Sequence, residues 1–218
     1  MIAPHQVQLL VLAKEPVSGR VKTRLSPALT PDQAAEVARA SLCDTLTAVA
    51  CTPVARRVLV LDGDPKAFIR PDFDVLAQTD GDLGRRLASA FDDAWDTCAL
   101  PMLLIGMDTP QVTAELLSRA AQQLLDSADG VLGLAEDGGW WALGLHAPLP
   151  GAFEGVPMSV DVTGSSQRQR LAELGLRPSV LPVLKDIDHV EDVALVAAQT
   201  SSTSALSGIA HTLGLVIA

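Results

Sequence analysis

The segment VQLLVLAKEPVSGRVKTRLSP, residues 7–27, begins with an apolar run of strand length, Val7 to Ala13, and passes into a loop that holds Lys14, Arg20, Lys22 and Arg24. The next residues are helical in pattern. Thr30, Pro31 and Gln33 supply an N-cap, a first-turn proline and a capping-box partner. Ala34, Val37, Ala38, Leu42, Leu46 and Val49 then recur at helical spacing, which predicts a helix over 31–50. A buried strand, a basic loop and a long helix make the first unit of an alternating chain.

The alternation continues. Apolar runs at 58–61, 75–77, 101–106 and 180–184 read as strands, and 130–134 with 140–145 read as two strands joined by the turn AEDGG. Helices are expected over 83–97, through Leu87, Ala88, Phe91 and Trp95, from the cap Thr113 to Asp126, and over 163–174. A last helix toward Ala198 is capped by Asp188 and Glu191. The expected class is α/β, a three-layer αβα domain with a mainly parallel sheet, and ligands in such domains gather outside the carboxyl ends of the strands. Residues 1–199 read as that domain. TSSTSALSG, 200–208, is linker-like, and the apolar ending IAHTLGLVIA, 209–218, is expected to dock as a strand or helical turn.

Composition narrows the function. The 218 residues hold 16 basic and 26 acidic side chains, a net charge of −10, which argues against nucleic acid as a partner. Aromatic residues are 3% with no Tyr, so stacking on single-stranded bases is not expected either. At 48% hydrophobic and 19% charged, the chain can bury a core. No run reaches the roughly 18 apolar residues of a membrane span, and the first residues lack a basic region before the apolar run, so a cytoplasmic protein is expected. Cys43, Cys51 and Cys98 form no CxxC pair and read as buried free thiols. The four histidines lack metal-ligand spacing.

Five stretches could hold chemistry. AKEPVSGRVKTRL, 13–25, is not a P-loop, because Val21 separates Gly19 from Lys22 and the earlier glycine is missing. It can still approach an anion at Gly19, with Lys22 as a point charge and Arg24 as a two-pronged donor. LLIGMDTP, 103–110, ends an aliphatic strand on Asp108, and one carboxylate plus phosphate oxygens is the usual way Mg²⁺ is held; the same residues could simply shape a turn. LAEDGGWWALGL, 134–145, places Glu136 and Asp137 between two strands, where Asp-Gly is also an ordinary hairpin turn. VLKDIDHVEDV, 183–193, sets Asp186 and Asp188 after a strand; Asp188 could join Asp108 on a metal or cap the last helix. QTDGDLGRRL, 78–87, brackets a helix start with two glycines and suits a base or ribose resting on backbone amides, unless Asp82 is only a helix cap.

Taken in order, AKEPVSGRVKTRL, QTDGDLGRRL, IGMDTP, LAEDGGWWALGL, MSVDVT and DIDHVED resemble a family of bacterial GT-A-fold transferases, labelled glycosyltransferases or radical-SAM/selenodomain-associated transferases. The likeness spans about residues 7–198. The first and last motifs also resemble those of the molybdenum-cofactor and phospholactate guanylyltransferases. The resemblance implies the nucleotide-diphospho-sugar transferase fold and a nucleotide or nucleotide-sugar donor with a small-molecule acceptor. It also implies Mg²⁺ or Mn²⁺ as cofactor. By matching position it puts Ala13, Lys14, Gly19, Lys22, Thr23, Arg24, Gln78, Gly81 and Gly84 at the nucleotide, Asp108 and Asp188 at the metal, and Gly138, Gly139, Trp140 and Ser159 at the acceptor. Lys22, Arg24, Asp108 and Asp137 are the residues implied in catalysis. Three positions depart from the family pattern and bear on the acceptor: Trp140 and Trp141 where Tyr is common, Met158 where a tryptophan is expected, and Lys185 where an aromatic is frequent. The expected reaction is glycosyl transfer from a nucleotide-diphospho-sugar; the alternatives are nucleotidyl transfer with release of pyrophosphate, and a non-catalytic nucleotide-binding module.

Overall fold

The computed structural model describes residues 3–68 and 70–216. Seven strands and six α-helices alternate: β1 (His5–Lys14), α1 (Pro31–Ala50), β2 (Val54–Asp62), β3 (Asp74–Ala77), α2 (Leu83–Thr97), β4 (Met102–Gly106), α3 (Ala114–Asp126), β5 (Val131–Ala135), β6 (Trp140–Leu145), α4 (Thr163–Glu173), β7 (Ser179–Leu184), α5 (Val190–Ala197) and α6 (Ala205–Thr212). The sheet order is β3-β2-β1-β4-β6-β5-β7. All neighbours pair in parallel except β6, which runs against both β4 and β5.

β1 is central, and both its faces are covered. Val7, Leu9 and Val11 pack with α1 and α3 on one side, while Leu10 packs with Phe91 of α2 and Leu171 of α4 on the other. That is why the sequence there is a near-continuous apolar run rather than an alternating one. Each fully buried aliphatic side chain contributes about 1.5–3 kcal/mol. Thr30 and Gln33 form the expected capping box at the start of α1. β2 begins four residues earlier than the apolar run suggests, because Arg56 and Arg57 find partners: Arg56 pairs with Asp74 at 2.6 Å, and Arg57 donates to the carbonyls of Val49 and Thr52.

Three expectations shift. The last helix starts at Val190, and Asp192 rather than Glu191 closes its N-terminus, its Oδ2 accepting the amides of Asp188 and His189. Residues 205–208, expected in a linker, belong to α6, whose first amides, at Ala205 and Leu206, donate to the Asp44 carboxylate of α1 at 2.8 Å each. Leu206 and Ala210 bury against Leu25, Val37, Ile187 and Val193 in a third cluster behind α1; the last two residues of the apolar ending, 217–218, lie outside the described residues. The cysteines are free but not buried, Cys51 being exposed at the end of α1 and Cys43 and Cys98 half-buried. Among the described residues no helix is long and apolar enough to cross a membrane.

Candidate functional site

The parallel register brings the C-terminal ends of β1, β2 and β4 to one edge of the sheet. β6 is antiparallel to β4, so its first residue, and with it the 136–139 turn, opens at that same edge. β7 is parallel to β5 and delivers residues 185–188 there too. A cavity of about 480 Å³ lies in the middle of this edge.

The basic loop forms one wall. Ala13, Lys14, Lys22, Thr23 and Arg24 line the cavity, with Arg20 beside them; Gly19, at φ 74°, turns the loop outside it. Lys22 has only 8% of its side chain exposed, and its ammonium is held by Asp108 Oδ1 at 2.7 Å and by the carbonyl of Ile187. Arg24 Nη1 meets Asp188 Oδ2 at 2.6 Å. Lys22 (φ 49°) and Ser159 (φ 61°) are the two non-glycine residues with positive φ among the described residues. Both line this cavity, and backbone strain of this kind gathers at functional sites.

The opposite wall is acidic at one end. One carboxylate oxygen each from Asp137, Asp186 and Asp188 lies within 4.8 Å of the others. Asp186 is pushed up to about 6, first by burial and then by the charges of Asp137 and Asp188, with Lys22 opposing. Three hard oxygen donors so close together fit Mg²⁺ or Mn²⁺. The expectation on a metal was Asp108 with Asp188 or with Asp137; Asp108 also lines the cavity, where its Oδ1 is paired with Lys22. Asp188 is released from helix capping by Asp192. Asp186 was not among the expected site residues. Its signal is the pattern Asp-Ile-Asp: Ile187 is fully buried in the third cluster, so its neighbours on either side face the cleft.

Other expected residues divide. Gln78 lines the cavity, but its Nε2 donates to Ala13 O at 2.7 Å and Val60 O at 3.1 Å while its Oε1 accepts from Arg86, so it braces the strand ends. Gly81 and Gly84 lie outside the lining, and Asp82 caps α2 by accepting the Arg85 amide at 2.8 Å. Gly139, Trp140 and Ser159 line the cavity; Gly138 does not. A Cβ on Gly138 would sit 1.8 Å from the Asp161 carbonyl oxygen, so this glycine serves the contact between the turn and the segment before α4. Asp137 also accepts the Gly139 amide at 2.7 Å, as a turn aspartate does. Arg86 and Thr109, unanticipated, line the cavity as well. Thr109 Oγ1 and Trp140 Nε1 are buried and find no hydrogen-bond partner among the described residues. Buried polar groups rarely stay unpaired, so both are candidates for ligand contact.

The profile of a family described as "Uncharacterized protein conserved in bacteria (DUF2064)" matches residues 45–160, more than half of the chain. No curated protein matches it. A crystal structure from Desulfovibrio desulfuricans G20, described as a "putative nucleotide-diphospho-sugar transferase", superposes with a TM-score of 0.85 at 25% identity, over 98% of this chain and 99% of that one. A 4-diphosphocytidyl-2C-methyl-D-erythritol synthase gives 0.54 at 16% identity over 83% and 90%. The manganese complex of Rv0371c from Mycobacterium tuberculosis H37Rv gives 0.50 at 20% over 89% and 98%. The last two likenesses are of fold alone. The architecture is that of the nucleotide-diphospho-sugar transferases.

Proposed function

The chain belongs to the DUF2064 family, and on that premise we propose that it is a divalent-cation-dependent transferase which moves a sugar from a nucleotide-diphospho-sugar to a small acceptor. One observation supports this above the others: Lys22 and Arg24 of a single loop and the carboxylates of Asp137, Asp186 and Asp188 line the same cavity. Cations on one wall suit a diphosphate, and convergent carboxylates suit its metal.

In this reading Lys14, Lys22 and Arg24 take the phosphate oxygens, and Lys22 and Arg24 share the charge that develops on the leaving diphosphate. The base and ribose lie toward Ala13, Thr23 and Gln78, within the frame set by the Gly19, Gly81 and Gly84 turns. Asp137, Asp186 and Asp188 hold the cation, with Asp108 steering Lys22. Bound Mg²⁺ or Mn²⁺ supplies Lewis-acid neutralisation of the leaving group. Trp140, Ser159 and Gly139 form the acceptor side, and the buried Trp140 Nε1 and Thr109 Oγ1 donate to ligand oxygens. A nucleotide donor is consistent with a protein that works in the cytoplasm. The likeness to the Desulfovibrio protein, at 25% identity, supports the sugar donor.

A second reading, nucleotidyl transfer, is favoured by the placement of four cations at the end of β1 and in the loop that follows, where a triphosphate would be gripped. The two are separated by one experiment. Thermal-shift screening of nucleotide-diphospho-sugars and nucleoside triphosphates with and without Mg²⁺ finds the donor, and ³¹P NMR of the turnover mixture identifies the leaving group. Nucleoside diphosphate among the products is the expected result. Pyrophosphate instead would replace sugar transfer by nucleotidyl transfer, and binding without turnover would leave a non-catalytic module.

A further inference from the structure

Two of the three cations offered to phosphate, Lys22 and Arg24, are already engaged. Arg24 is ion-paired with Asp188, one of the three convergent carboxylates, and Lys22 is clamped between Asp108 and the carbonyl of Ile187. Arg20 lines the same cavity from the same loop, yet its guanidinium makes no ion pair or hydrogen bond with the described residues. The contrast matters because Arg24 holds one oxygen of the Asp188 carboxylate and so competes with a cation for that group's charge. A guanidinium beside the cluster also repels an incoming dication. The two sides of the Arg24 pair are unequal in mobility. Its side chain is 56% exposed and Asp188 only 26%, so the arginine is the partner free to leave. Phosphate is the group that would draw it away, since an arginine fork matches phosphate oxygens as well as it matches a carboxylate.

We propose that Arg24 is the internal counter-ion of the Asp137–Asp186–Asp188 cluster, and that its transfer from Asp188 to a ligand phosphate couples phosphate binding to divalent-cation binding. The inference rests on the transferase reading only in assuming that a phosphate meets this loop. Without phosphate, the cation binds the minority of molecules in which Asp188 is free, and its apparent affinity falls by that fraction. With phosphate, Asp188 is released and the cation is held more tightly. Reciprocity requires the cation to strengthen phosphate binding by the same factor. Metal and phosphates therefore enter as a pair.

The test measures free Mn²⁺ by electron paramagnetic resonance during titration of the metal-free protein, with no nucleotide present. Arg24→Gln should bind Mn²⁺ roughly tenfold more tightly than wild type, as expected if Asp188 is free in about a tenth of molecules. Arg20→Gln removes the same charge from the same cavity without breaking an ion pair, and should change the affinity far less. Adding sulfate, a tetrahedral dianion, at constant ionic strength should tighten Mn²⁺ binding in wild type and not in Arg24→Gln. Equal effects of the two substitutions, or the same sulfate response in wild type and Arg24→Gln, would overturn the proposal. No arm uses a nucleotide, so failure of the donor assignment appears separately, as an absence of thermal shift with every nucleotide tried.

Discussion

Asp186 is set against its own charge. Burial comes first among the causes, the carboxylates of Asp137 and Asp188 add to it, and its folded value of about 6 lies above the ordinary 3.8. For an acid raised on folding, the native state binds the extra proton, so the cost of keeping it ionised is present above about pH 6 and is relieved as pH falls from 6 to 4. For a partly exposed group, solvent screening reduces that cost to about 1–2 kcal/mol. Asp186→Asn should therefore make the metal-free protein more stable than wild type at pH 7.5, with the advantage fading by about pH 4; denaturant unfolding of both proteins across that range measures it. A variant no more stable than wild type at pH 7.5 would mean that the cluster is already neutralised. The substitution should also weaken Mn²⁺ binding, the separation of stability from function expected of a strained ligand set. At this scale Lys22, Arg24 and Asp108 can be singled out in the sequence, because Asp108 closely follows the apolar strand β4 and the two cations crowd the loop after β1. Asp186 is hidden, because only the burial of Ile187 in a cluster built by α1, α5 and α6 aims both its neighbours at one cleft.

Among the elements, the β5–β6 turn and the segment leading into α4 hold one another by backbone contact. The Gly164 amide donates to the Gly138 carbonyl at 2.8 Å, and a Cβ on Gly164 would meet the Gly139 oxygen at 2.4 Å. Gly138→Ala adds a collision with the Asp161 backbone to the cost of a left-handed alanine, while Gly155→Ala, at φ 72° with open space around it, adds the left-handed cost alone. Denaturant unfolding should show a loss of about 1 kcal/mol for Gly155→Ala and about 3 kcal/mol or more for Gly138→Ala. Similar losses would remove the close approach as the reason for Gly138. Elements of strong period, such as α1 and β4, can be read from the chain because their burial repeats locally. The start of α6 cannot: Ser204 looks like one more residue of a polar stretch, and the Asp44 carboxylate that anchors the helix lies some 160 residues earlier.

For the whole molecule, the cluster behind α1 ties the tail to the site. Leu206 packs in one group with Leu25, next to Arg24, and with Ile187, between Asp186 and Asp188. Leu206→Ala should cost about 2–4 kcal/mol and also weaken Mn²⁺ binding, whereas Leu124→Ala, buried between α3 and the sheet, should cost as much and leave Mn²⁺ affinity unchanged. Loss of Mn²⁺ affinity in both would mean that the site follows global stability rather than this buttress. The same arrangement sets a timetable for the ribosome. The bond from Lys22 to the carbonyl of Ile187 spans 165 residues, and Asp44 receives α6 across 161. The cationic loop is therefore made long before the carboxylates of Asp186 and Asp188 that face it. A nascent chain halted before residue 180 can build β1 to β4 in full, yet it owns neither Asp186 nor Asp188. The cationic and acidic walls of the cleft can therefore meet only after the chain has been made as far as Asp188.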